Sequence, residues 1–128
     1  MVEVRLLLDT HILLWWLTDG SRISQESREV IRDGKNQVFI SSASAWEIAI
    51  KRGLGKLRAP GDLKEQVQTA RFEVLNVTID HALAVSELPD HHSDPFDRIL
   101  VAQALVEDFT MVTQDPKIHR YDVAVLGR

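Results

Sequence analysis

The sequence has no cysteine. That excludes structural disulfides, thiolate zinc sites and cysteine nucleophiles. It has no long apolar run either. Near the start the longest is "ILLWWL", residues 12–17, far short of the roughly 20 residues that cross a bilayer. Asp9 and His11 interrupt the region a signal peptide would need, so the chain reads as cytoplasmic. With only six glycines and four prolines there is no linker, repeat or low-complexity tract. Positive charge is also scarce: 15 Lys and Arg against 19 Asp and Glu give a net charge of −4. Such a balance argues against a nucleic-acid partner, but the sum depends on where the acids sit. If Asp9, Glu47, Asp94, Asp97 and Asp115 share one metal-filled site, 14 acids face 15 bases elsewhere, enough for a basic rim.

What is present is globular: 128 residues, 45% hydrophobic and 27% charged. This is one domain of ordinary size. Short apolar runs alternate with amphipathic ones. Strands are predicted at 4–8, 37–41, 72–77, 110–114 and 123–127. Helices are predicted at 10–18 with Thr10 as cap, 24–34 with Ser24 as cap, 42–55, 60–71, and 78–89 with Thr78 as cap, and a last one opens in "SDPFDRILVAQALVED" (93–108). Strands joined by helical crossovers form a parallel sheet covered on both faces. In such sheets the site lies beyond the carboxyl ends of the strands.

Five acids fall near those ends, and each has an ordinary alternative. Asp9 directly follows the first strand, where turn chemistry also favours Asp. Glu47 sits in "SASAWEIAI", on a stripe with Ala43, Ile50 and Leu54. That helix reads as buried on most sides, and a buried carboxylate must be paired, protonated or bound to a cation. The alternative is a surface i,i+4 pair with Lys51. Asp94 before Pro95 reads as a helix cap, Asp97 as an acid of the first turn, and Asp115 before Pro116 has the same cap alternative. Gathered carboxylates repel and raise each other's pKa values. A hard divalent cation removes that penalty; Mg²⁺ or Mn²⁺ suits all-oxygen ligands and can activate water against a phosphodiester. His91 and His92 lack the helical spacing of a dedicated metal pair and read as a polar loop beside the acids. The densest basic cluster, Lys51, Arg52, Lys56 and Arg58, is either an RNA-backbone contact or a solvated helix end.

The blocks "LLLDTHILLWWL", "SSASAWEIAIK", "HHSDPFDRILVAQA" and "MVTQD", in this order over nearly the whole chain, resemble the PIN-domain family, in particular its single-domain VapC-type toxins. The resemblance implies an α/β fold, a PIN-like three-layer α/β/α sandwich with a five-stranded parallel sheet, residues 1–128 forming a single domain. It implies a ribonuclease dependent on Mg²⁺ or Mn²⁺. Asp9, Glu47, Asp97 and Asp115 carry over as metal-binding and catalytic residues, with Asp94 mainly the helix cap beside them. It also implies a toxin held by a cognate antitoxin, and a homodimer, with one of Trp15 and Trp16 buried and the other turned to a partner. Other readings remain open. One is a non-toxin or catalytically silent PIN-fold RNA-binding protein. An aspartyl-nucleophile phosphatase would want an Asp where His11 stands, and a phospho-acceptor domain would want one where Thr78 follows "FEVLNV".

Overall fold

The structure, a computed structural model, describes residues 4–127. Five parallel strands stand in the order β3-β2-β1-β4-β5: β1 (Arg5–Leu8), β2 (Gln37–Ser41), β3 (Glu73–Leu75), β4 (Thr110–Val112) and β5 (Val125–Leu126). β1 is central because its residues are apolar on both sides. Leu6 and Leu8 join one core cluster with Ile12, Leu13, Ile31, Ile48 and Val67, from α1 (Thr10–Thr18), α2 (Gln25–Arg32), α3 (Ser42–Gly53) and α4 (Leu63–Thr69). Leu7 points the other way and joins Leu100, Val101 and Ala104 of α6 (Pro95–Glu107), with Phe109, Met111, Ile118 and Tyr121. Alternation along a single strand thus sets up the three layers. α5 (Ile79–Ala84) packs on α6, where buried His81 Nε2 meets Glu107 Oε2 at 2.7 Å.

The chain runs outward from β1 to β2 and β3, then crosses back to place β4 on the other side of β1. β1 and β4 therefore flank a topological switch point, where a doubly wound sheet opens a crevice at its carboxyl ends. Leu8 pairs with Val112 in that register, so the next residues on each strand, Asp9 and Thr113, emerge side by side.

Several boundaries differ from the sequence expectation. Asp9, not Thr10, caps α1: its side chain accepts from Ile12 N while Thr10 is already helical. The Thr10 hydroxyl instead donates to Ser44 Oγ at 3.0 Å, tying α1 to α3. The 60–71 helix shrinks to Leu63–Thr69, since Pro60 and Gly61 stay outside it. The 78–89 helix tightens after Ala84 into a 3-10 turn, Val85–Glu87. β3, β4 and β5 are shorter than their apolar runs, because pairing partners, not hydrophobicity, set strand length. Neither Trp15 nor Trp16 is fully buried; both lie at the core's edge. Trp15 carries the Arg22 guanidinium 4.6 Å from its ring centre, and Trp16 leans on Phe72 at 6.1 Å. Among the described residues no helix is long and apolar enough to cross a membrane.

Candidate metal centre

Asp9 is fixed from three directions. Its N–H donates to Val112 O at 3.1 Å, Oδ1 accepts from Ile12 N at 2.7 Å, and Oδ2 accepts from Thr113 Oγ1 at 2.5 Å. It is 3% exposed. Burial raises its pKa above the usual carboxylate range. The two hydrogen bonds and the nearby His11 pull it down, and Asp115 pushes it up again. Thr113 links the two acids directly, since its Oγ1 also accepts the Asp115 N–H at 3.1 Å. Asp115 Oδ1 in turn accepts from Lys117 N at 2.9 Å, holding the turn after β4. Asp9 and Asp115 line one cavity of about 440 Å³ with His11, Trp15 and Arg22.

Glu47 is also 3% exposed. It shares the buried face of α3 with Ala43, Ser44 and Ile48, whereas Ile50, Leu54 and Trp46 are exposed. α3 is thus buried on one face only, a correction to the stripe read from sequence. The charge of Glu47 is met by Lys51, whose Nζ stands 2.5 Å from Oε2. The other oxygen, Oε1, is buried with no hydrogen-bond partner. Lys51 is held protonated above its ordinary range by that hydrogen bond first. Partial desolvation opposes it, and the charges of Glu47, Asp94 and Asp97 add to it.

Asp94 caps α6, accepting from Phe96 N at 2.9 Å and Asp97 N at 3.1 Å, with Pro95 next. Asp97 is pushed up to about 6. Burial contributes most, and the charges of Asp94, Asp9 and Asp115 add to it, against a hydrogen bond from His92. His92 Nε2 lies 3.3 Å from Asp97 Oδ2, and its Nδ1 lies 2.8 Å from the Tyr121 hydroxyl. Arg98 Nη1 donates to that hydroxyl at 3.1 Å. All three contacts are satisfied at once if neutral His92 donates from Nε2 and accepts at Nδ1.

The acids therefore stand in three groups: Asp9 with Asp115 through Thr113, Glu47 with Lys51, and Asp94 with Asp97 and His92. Their fields overlap at Asp97 and Lys51. Among the described residues no three His, Asp or Glu side chains are gathered closely enough to form a finished ligand set. The donors nonetheless fit a hard divalent cation: they are all oxygen, burial first and neighbouring carboxylates second raise the pKa values of Asp9 and Asp97, and Glu47 keeps an unpartnered buried oxygen. Of the basic cluster, Lys51 belongs to this centre. The Arg52 guanidinium lies across Gly61, and Lys56 and Arg58 are exposed in the following loop.

A PIN domain family model matches residues 6–124. The chain belongs to the PIN-domain family. Ribonuclease VapC22 of Mycobacterium tuberculosis is 26% identical to this PIN domain over 125 residues, 90% of this chain and 92% of that one. Ribonuclease VapC16 of the same organism is 39% identical over 59 residues, which cover 44% of this chain and only 42% of VapC16. A toxin-antitoxin complex from Klebsiella pneumoniae contains a chain of the same fold, with a TM-score of 0.65, 18% identity and 94% of each chain covered.

Thr113 and Tyr121 are the parts of this PIN-domain centre that sequence reading missed; His92 stands beside the acids, as its loop was read. Thr113 becomes visible only once the register of β1 on β4 is known, and the His92–Tyr121 contact spans 29 residues. The nearness of His92 to the Asp94–Asp97 pair was the one available signal.

Proposed function

We propose that this PIN domain is an endoribonuclease dependent on Mg²⁺ or Mn²⁺, the toxin member of a toxin–antitoxin pair. The observation that carries the reading is Glu47, a buried carboxylate with one oxygen free, in a chain where burial also raises the pKa values of Asp9 and Asp97. Asp9, Glu47, Asp97 and Asp115 would hold the ion. Such an ion, when bound, activates water and offsets charge on the phosphate.

The chain's own groups do the rest. Thr113 fixes the orientation of Asp9 and the turn carrying Asp115; His92, backed by Tyr121 and Arg98, fixes Asp97. Lys51 sets a positive charge beside the scissile phosphate, and Arg52, Lys56 and Arg58 follow the RNA backbone beyond it. Attack by water leaves a 5′-phosphate and a 3′-hydroxyl. The names of VapC16 and VapC22 support ribonuclease action, and the Klebsiella complex supports an antitoxin partner. Residues 1–128 act as one cytoplasmic domain, which pairs as a homodimer.

The Lys51–Glu47 contact favours one other reading. An ammonium already neutralising Glu47 suits a PIN fold that binds RNA without cutting it. One experiment separates the two. A defined RNA is incubated with Mg²⁺ or Mn²⁺, with EDTA, and with Asp9→Ala, and the product ends are identified. Metal-dependent cleavage that leaves a 5′-phosphate and is abolished in Asp9→Ala supports the nuclease. Cleavage that survives both controls, or leaves a cyclic phosphate, sinks the mechanism. Binding without cleavage makes the domain a silent one.

A further inference from the structure

Gln114 lies between Thr113, which holds Asp9, and Asp115. It is half-buried and lines the cavity of about 440 Å³ that the two acids share. Its carboxamide reaches across to a segment far earlier in the chain. Oε1 accepts the Ser24 N–H at 3.0 Å, and Nε2 donates to Arg22 O at 3.2 Å. A backbone N–H only donates and a carbonyl only accepts, so the partners settle which end of the amide is which. Turned over, the amide would lose both bonds. The two partners flank Ile23, which is 2% exposed and part of the core. The clamp therefore grips a segment that is itself anchored.

Asp115 needs such a tie. Among the described residues its own hydrogen bonds stay within its turn, to Thr113, Lys117 and Ile118. They shape the turn but do not fix where it stands against the cavity's other wall. The sheet does not fix it either, because β4 ends at Val112. Thr113 fastens the turn on one side, to Asp9. Gln114 fastens it on the other, to the end of the 3-10 turn Gly20–Arg22 and the cap of α2. That wall also carries Trp15, with the Arg22 guanidinium 4.6 Å from its ring centre.

We propose that Gln114 is a positioning residue of the metal centre. Its amide sets the spacing between the Asp115 turn and the Arg22–Ser24 wall, and so fixes where Asp115 stands relative to Asp9. The proposal rests on Asp9 and Asp115 holding the ion of the proposed nuclease. Groups that orient metal ligands are worth about 10- to 100-fold in affinity or activity. Gln114 acts through the backbone of Asp115, so the low end of that range applies.

The chain contains a matched control. Asn36 is also an amide clamp between two backbone groups, accepting from Val4 N at 3.3 Å and donating to Val30 O at 3.0 Å. It lies at the amino ends of β1 and β2, away from the acids. The test uses the full chain as unmodified protein, Gln114→Met and Asn36→Leu. Gln114→Met keeps the length of the side chain and removes both bonds. Three quantities are read: Tm in EDTA, the Mn²⁺ concentration that gives half of the metal-induced rise in Tm, and kcat and KM on a defined RNA. Hydrogen exchange at the Ser24 N–H reports whether the clamp is open.

Both variants should lower Tm in EDTA. Only Gln114→Met should speed exchange at Ser24, raise the half-saturating Mn²⁺ concentration about 10-fold and lower kcat with KM little changed. If Gln114→Met opens the clamp but keeps the Mn²⁺ response and kcat, the tie is merely structural: the proposal is overturned and the nuclease stands. An equal loss of Mn²⁺ response in Asn36→Leu overturns it too, because general destabilisation then explains the effect. If Gln114→Met weakens Mn²⁺ binding but even the unmodified protein cuts no RNA, the positioning role stands and the nuclease is wrong. No Mn²⁺ response in the unmodified protein would overturn the ion and the positioning role together.

Discussion

Thr113 donates its hydroxyl to Asp9 Oδ2 at 2.5 Å while its own oxygen accepts the Asp115 N–H at 3.1 Å. One buried side chain thereby orients the Asp9 carboxylate and holds the backbone of Asp115, at the ends of two neighbouring strands. Residues that orient metal ligands typically account for 10- to 100-fold in affinity. Thr113→Val keeps the shape and removes the hydroxyl. It should weaken Mn²⁺ affinity by about that factor, read as a smaller metal-induced rise in Tm, while Thr113→Ser stays close to the unmodified protein. An equal metal response in Thr113→Val would separate Asp9 from metal binding.

Asp97 gives the pH dependence of the metal-free protein. Its carboxyl sits at about 6 in the folded state against 3.8 for an unperturbed aspartate. The folded state therefore holds the proton more tightly than the unfolded one. The stability this contributes is complete below pH 3.8 and is lost as pH rises through about 6. Asp9, also raised, acts in the same direction. In EDTA, the Tm contribution of this centre should fall between about pH 4 and 6. Asp97→Asn should flatten that fall and leave the protein as stable or more stable at neutral pH. A marked drop in the stability of Asp97→Asn at neutral pH would contradict the cost of holding Asp97 ionised, from burial first and repulsion second, on which this rests.

Lys51 acts as the centre's internal cation. Removing its charge in Lys51→Met leaves buried Glu47 unpaired. The pair is partly open to water, Lys51 being 36% exposed, so screening limits the cost to about 1–2 kcal/mol in the metal-free protein. The metal-induced rise in Tm should then grow, because both Glu47 oxygens become available. In Glu47→Gln the metal response should shrink. The two variants moving the metal response together would remove Glu47 from the ligand set.

Asp94 and Asp97 should separate cleanly. Asp94→Ala should cost about 0.5–2 kcal/mol, as removal of an N-cap does, and Asp94→Ser should recover most of it. Because the Asp94 charge helps raise Asp97, both variants should also shift the acid limb of the stability profile to lower pH. Metal-induced stabilisation should persist in Asp94→Ser. Its disappearance would make Asp94 a ligand.

Lys56 and Arg58 lie exposed past α3. If they follow an RNA backbone, changing both to Ala should lower the salt slope of RNA binding by about 0.7 for each phosphate that is no longer neutralised. An unchanged slope would remove this loop from the interface.

The five-strand parallel architecture was legible because β1 and β2 are continuous apolar runs, each handing over to a capped helix. The positions of Asp9 and Asp115 at strand ends followed from the same pattern. The Asp94–Pro95 start of α6 was legible because capping chemistry is local. What was not legible depends on partners distant in sequence. Asp9 took the α1 cap from Thr10 because Ser44, on another helix, accepts the Thr10 hydroxyl. α3 looked buried on most sides because its composition is apolar, but neighbours cover only the side holding Ala43, Ser44, Glu47 and Ile48. The support of Asp97 by His92 and Tyr121 needs the turn after β4 folded back against α6, which no local pattern encodes.

The two ends of the Thr113–Asp9 contact lie 104 residues apart, and β4 must reach β1 before it can form. This has a consequence for biogenesis. During synthesis from the amino terminus, β1, β2 and β3 can associate while Asp9 still lacks both Val112 and Thr113. The centre is thus assembled late, by closure of the most distant strand pair, and such non-local closures are the slow ones. A chain interrupted between α3 and β4 carries Asp9 and Glu47 but neither Thr113 nor Asp115. Premature termination should therefore give inert fragments, and competence should arrive in one step with the last strands.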